Sequence, residues 1–61
     1  MDARKYDRNA DLISQILWKV TQLDTKGDIS AASQKMTMMT ALQTALECND
    51  VLGKMAEKGW L

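Results

Sequence analysis

Apolar residues recur along this chain in two blocks of helical spacing, separated by one polar stretch. In the first block Leu12, Ile13, Ile16, Leu17, Val20 and Leu23 follow one another at steps of one, three and four. At about 100° per residue they fill a single arc, which predicts an amphipathic helix over about residues 5–24. Tyr6 extends that arc toward the N-terminus. In the second block Ala31, Met38, Met39, Leu42, Ala45, Leu46, Leu52 and Ala56 form the main stripe. Ala41, Cys48 and Met55 widen it on one side, and Val51 falls nearly outside it. This block predicts a helix over about residues 29–58, with Gly59 ending it.

The polar stretch joins a stop signal to a start signal. Gly27 can take the left-handed conformation that closes a helix, and Lys26 suits the negative end of the helix dipole. Asp28 or Ser30 can then accept hydrogen bonds from the free N–H groups of the next helix. With the turn at residues 25–28, the expected fold is all-α: one antiparallel two-helix hairpin, coiled-coil-like, spanning residues 1–61 as a single unit. Folding back at Gly27 sets Leu23 near Ala31, Ile16 near Met38 and Ile13 near Leu42. Tyr6 then falls near Asn49, whose amide faces the seam and can bond the phenol. The second helix, about 45 Å long, outruns the first, about 30 Å long. On this register Leu52, Met55, Ala56, Trp60 and Leu61 have no partner inside the chain. They form either an uncovered binding end or a frayed terminus.

Trp18 falls roughly opposite the centre of the first helix's arc, among Asp11, Ser14, Gln15 and Gln22. It is either an incidental surface aromatic or a contact for another protein, since tryptophan is enriched at the energetic centres of interfaces. The methionines pose a similar choice, because five occur in 61 residues. Methionine suits adaptable contact surfaces and also fills gaps in a loose core. Met38 and Met39 fit either role, whereas Met36 faces the polar side.

Length changes the picture more than composition does. A chain of 61 residues buries little apolar surface, and such scaffolds usually add disulfides, a metal or association. The single cysteine, Cys48, has no second cysteine to pair with, and histidine is absent. Association with another helical chain or with itself is what remains. Trp18, Val51, Leu52, Met55, Trp60 and Leu61 are the residues expected to contact that partner.

Charge removes other classes. Eight basic residues balance eight acidic ones, and Arg4, Lys5 and Arg8 are interleaved with Asp2, Asp7 and Asp11. No basic stripe of the kind nucleic-acid binders carry is present, so no nucleic-acid partner is expected. No apolar run approaches the length of a membrane span. The start of the chain is charged and lacks a signal-peptide core, so a cytoplasmic location is expected. Without histidine, a glycine-rich phosphate loop or a nucleophile beside a base, no enzymatic activity, cofactor, metal or small-molecule substrate is expected. Asp24 and Asp28 flank Gly27 but lack the ligand count and closing glutamate of a calcium loop, and capping accounts for both.

The order of an amphipathic helix, a turn "TKGD" and a long helix carrying "AASQKMTMMTALQTALECNDVL" resembles a known family. It is similar to the small E-type co-chaperones of the needle subunit in bacterial type III secretion systems. Ala41-Leu42, Ala45-Leu46 and Val51-Leu52 occupy the places of that family's "AL…A(I/L)…(I/V)(I/L)" stretch, over about Leu12 to Met55. The methionine-rich centre and the Trp60-Leu61 end do not match it. The resemblance implies a cytoplasmic hairpin that stabilises a helical-repeat chaperone and helps to keep the needle subunit monomeric before export. Two alternatives stay open. One is a self-assembling structural subunit of a needle, rod or filament; the other is a homodimeric four-helix-bundle regulator.

Overall fold

A computed structural model describes residues 4–61. Met1, Asp2 and Ala3, the first residues of the charged N-terminal stretch, lie outside the described residues. The architecture is two helices and no strand among those residues: α1 over Arg4–Thr21 and α2 over Ile29–Glu57. They pack against each other as an all-α hairpin.

Each boundary has a local cause. Asp28 is the N-cap of α2, its carboxylate accepting the N–H of Ala31 at 3.1 Å. This satisfies one of the donors that a helix start leaves free. Ahead of it, Lys26 and Gly27 both have positive φ, 53° and 81°. The Asp28 N–H closes that turn on the Thr25 carbonyl at 2.9 Å, and the Asp24 carboxylate accepts the Lys26 N–H at 2.9 Å. Two consecutive left-handed residues make a tight reversal, which explains why a glycine stands in one of the two places.

The connection is longer than the sequence pattern predicts. Helix α1 stops at Thr21, not at about residue 24, so Gly27 does not cap it. A side chain from the other helix does so instead. The Lys35 ammonium of α2 donates to the carbonyls of Thr21 at 3.1 Å and Leu23 at 2.9 Å. A cation placed on the last carbonyls of a helix is favoured by the helix dipole.

The far end is capped rather than frayed. The Gly59 N–H bonds the Ala56 carbonyl at 3.0 Å and the Trp60 N–H bonds the Met55 carbonyl at 2.9 Å. With Gly59 at φ 78°, this is the double closure of a Schellman motif.

The seam follows a strict alternation of three and four residues: Tyr6, Ala10, Ile13, Leu17 and Val20 on α1, then Ala32, Lys35, Met39, Leu42, Leu46, Asn49, Gly53 and Ala56 on α2. Every residue of both series is buried or half-buried. That spacing is the packing pattern of a coiled coil. It turns the α1 seam away from the centre of the arc expected from periodicity. Leu12 and Ile16 of that arc stay 51% exposed, while Tyr6 and Ala10 take places against α2.

The expected overhang is covered in part: Leu52, Trp60 and Leu61 stay exposed, but Ala56 does not. Ala56 is 2% exposed. A Cβ placed on Gly53 would lie 3.2 Å from the Tyr6 Cβ, so the first turns of α1 lie directly against this end of α2. Small residues at both positions let the tyrosine in. Replacing Gly53 by Ala sets a gain in helix propensity of about 1 kcal/mol against a contact that Tyr6 must relieve. Gly53→Ala should therefore melt close to the parent. Gly53→Leu should cost about 1–3 kcal/mol by overpacking, which a thermal melt followed by circular dichroism will measure.

Candidate functional site: an apolar face of the hairpin

The orientation of α1 on α2 is fixed at both ends by polar contacts in an otherwise apolar seam. At one end Lys35 holds the last turn of α1. At the other, Asn49, 9% exposed, donates from Nδ2 to the Tyr6 carbonyl at 2.7 Å. The predicted proximity of Asn49 and Tyr6 is present, but the acceptor is the backbone carbonyl and not the phenol. A single buried asparagine in a coiled-coil seam specifies register because any slip leaves its amide without a partner.

With rotation fixed, the residues flanking the seam sort onto two sides. The helices run antiparallel, so turning about each axis in the same sense from the seam reaches the same side of the molecule. On one side stand Leu12 and Ile16 of α1 and Met38, Ala41, Ala45, Cys48, Leu52 and Met55 of α2, with Asn9 and Gln34 as the uncharged polar residues among them. The α2 residues of this set form a second series of three-four spacing, parallel to the seam. The broad stripe expected on α2 is therefore two stripes, because one partner helix covers only a narrow strip of another. The second stripe is the open one: Leu12, Ile16, Met38, Ala41, Cys48 and Leu52 are exposed, with Ala45 and Met55 half-buried.

Charge is segregated between the two sides. All five carboxylates on the helices, Asp7, Asp11, Glu47, Asp50 and Glu57, fall at positions flanking the opposite side of the seam or just beyond it. Among the described residues of the helices, the apolar side has only Lys5 and Lys19 as charged residues, both on α1. The carboxylate side also holds the Asp50–Lys54 ion pair at 3.2 Å, whose partners are 68% and 65% exposed. A pair so exposed contributes little to stability.

The sequence-expected contact residues do not form one patch. Leu52 and Met55 lie on the apolar side. Val51 points outward, away from both sides of the seam. Trp18, 67% exposed, is on the carboxylate side; Thr21 Oγ1 donates to its carbonyl at 2.6 Å. Trp60 and Leu61 lie past the C-cap, with the Lys58 ammonium 4.8 Å above the Trp60 ring centroid. Leu12, Ile16, Met38, Lys5 and Lys19 also stand exposed on the apolar side, outside the set expected from the sequence. The signal for Met38 was the second three-four series on α2; for the α1 residues the sequence carries none, because packing decides which half of the α1 arc stays open.

A groove of about 200 Å³ opens between the start of α1 and the end of α2, lined by Tyr6, Asp7, Ala10, Leu46, Asn49, Asp50, Gly53, Lys54 and Glu57. It lies on the carboxylate side. Among the described residues no group of three His, Cys, Asp or Glu side chains is placed to hold a metal ion. Among the described residues no helix is long and apolar enough to cross a membrane. Compared with known proteins, the chain matches no family model, no curated protein and no solved structure.

Proposed function

We propose that this chain is a non-enzymatic protein–protein interaction module, a helical hairpin that offers one apolar face to a helical partner. One observation carries this reading: a contiguous apolar face left open along most of a thin two-helix unit. The surface area fits it. The chain exposes 4811 Å², where a compact monomer of 6.8 kDa exposes about 4,000 Å². Its radius of gyration of 14.7 Å likewise exceeds the roughly 10.5 Å of a compact domain of this length.

The specific form of this function comes from the sequence resemblance. It is a cytoplasmic co-chaperone of the E type, which stabilises a helical-repeat chaperone and helps to hold a needle subunit monomeric. Such work needs no reacting group, only a rigid amphipathic surface. Affinity purification from the native host should recover a discrete complex with a helical-repeat protein. Light scattering of the isolated chain should give a discrete species. Open-ended polymer would instead assign the chain to the structural subunits, and a host complex with no helical partner would sink the interaction reading.

Two variants locate the working surface. Leu52→Glu places a charge on the apolar side at a position 37% exposed, so the isolated hairpin should stay helical. Its affinity for the partner should fall about thirtyfold or more, the size of effect seen when an anchor residue is lost. Trp18→Ala should shift stability by under about 1 kcal/mol, as for ordinary surface changes, and leave that affinity unchanged. Loss of binding in Trp18→Ala but not in Leu52→Glu would move the surface to the carboxylate side.

A further inference from the structure

We infer that the apolar face takes a third helix from another protein, one whose apolar stripe is bordered by acidic residues along the edge that meets α1. This deepens the interaction reading above and rests on it.

The spacing on α2 sets the shape of the occupant. Met38, Ala41, Ala45, Cys48, Leu52 and Met55 repeat at three and four residues, the pattern that one helix presents to another. The series spans 18 residues of α2, or about 26 Å from first to last at 1.5 Å per residue, enough for close to five turns of a partner. Its middle is built from small side chains, with longer ones at both ends. Leu12 and Ile16 of α1 raise the second wall. The result is a shallow trough in which a helix can approach α2 closely and fill the space above the small residues.

Charge then decides which helix. Lys5 and Lys19 stand on the α1 wall, about 21 Å apart along the helix at 1.5 Å per residue, on either side of Leu12 and Ile16. Residues flanking an apolar seam set partner choice through their charges. A helix with glutamates or aspartates on that edge meets two lysines. A helix with lysines there meets repulsion.

A second copy of this chain supplies no such match. Two hairpins stacked face to face by a two-fold axis bring α1 against either α1 or α2 of the other copy. The first pairing sets lysine edge against lysine edge. The second sets it against Thr37, Thr44 and Val51, where no carboxylate stands. An anionic membrane would match the lysines, but interfacial helices bury Trp, Phe and Leu. Here the trough floor is alanine and cysteine, and Trp18 points to the other side.

The test uses two synthetic helical peptides of about 18 residues with leucines at three-four spacing. One carries glutamates at the flanking positions and its twin carries lysines. Titrated into the full chain at low salt, the glutamate peptide should bind about tenfold more tightly, and the preference should shrink as salt screens it. The double variant Lys5→Glu, Lys19→Glu should reverse the preference. Ala41→Glu, at an exposed position in mid-trough, should abolish binding of both peptides while the far-ultraviolet dichroism stays helical. Equal affinity for the two peptides, binding of neither, or binding unchanged in Ala41→Glu would overturn the inference. So would self-association, or co-sedimentation with anionic phospholipid vesicles, that Ala41→Glu removes. If a host partner binds and Ala41→Glu leaves that binding untouched, the interaction reading stands and this assignment of the face falls.

Discussion

Val20→Asp should unfold the protein. Val20 is 8% exposed, and it stands at the end of the seam where α1 gives way to the connection. A carboxylate there is taken out of water with no cation placed to receive it, since the Lys35 ammonium is already engaged with the Thr21 and Leu23 carbonyls. An unpaired buried charge costs several kcal/mol. A hairpin whose buried apolar residues are, among the described residues, Val20 and Ala56 has no reserve of that size. Circular dichroism at 222 nm should show loss of most helical signal in the isolated variant. The isosteric control Val20→Thr should keep its helix content at reduced stability, because a hydroxyl costs far less to bury than a charge. A Val20→Asp chain that stays helical and melts like the parent would mean that this end of the seam is open to water.

Truncation after Asn49 should have the second largest effect. If the C-terminal part of α2 were a free overhang, its loss would leave the hairpin intact. The structure gives it a different role. Gly53 lies against Tyr6, Ala56 is buried, and the Gly59 and Trp60 amides close the helix on the Ala56 and Met55 carbonyls. Removing these residues uncovers Tyr6, strips the cap and leaves Asn49 at a fraying end. A loss of about 2 kcal/mol, or roughly 10 °C or more in thermal midpoint for a domain this small, is expected together with melting of the first turn of α1. Amide exchange can localise it: the protection of residues near Tyr6 and Ala10 should fall first. An unchanged midpoint would return the C-terminal turns to the status of an appendage.

Both predictions rest on a seam that the sequence showed only in part. The sequence alone determined that the chain makes two helices with a break near Gly27 and that Asp28 or Ser30 begins the second. Those are local or nearly local consequences of residue type: a carboxylate ahead of free N–H groups, a glycine where φ must be positive, apolar residues returning once per turn. Rotation of the helices was beyond that reach. In α1 the arc from Leu12 to Leu23 is wider than one partner helix can cover. Which half is buried depends on features far apart in the chain: the small Gly53 and Ala56 that admit Tyr6, the Asn49 amide on the Tyr6 carbonyl, and Lys35 on the end of α1. The same rotation splits the stripe of α2 into a seam and an open face, and it gathers the helical carboxylates on one side and Lys5 and Lys19 on the other. A helical wheel lists the residues of each face, but only packing one helix against another decides which face meets the partner inside the chain and which is left for a partner outside it.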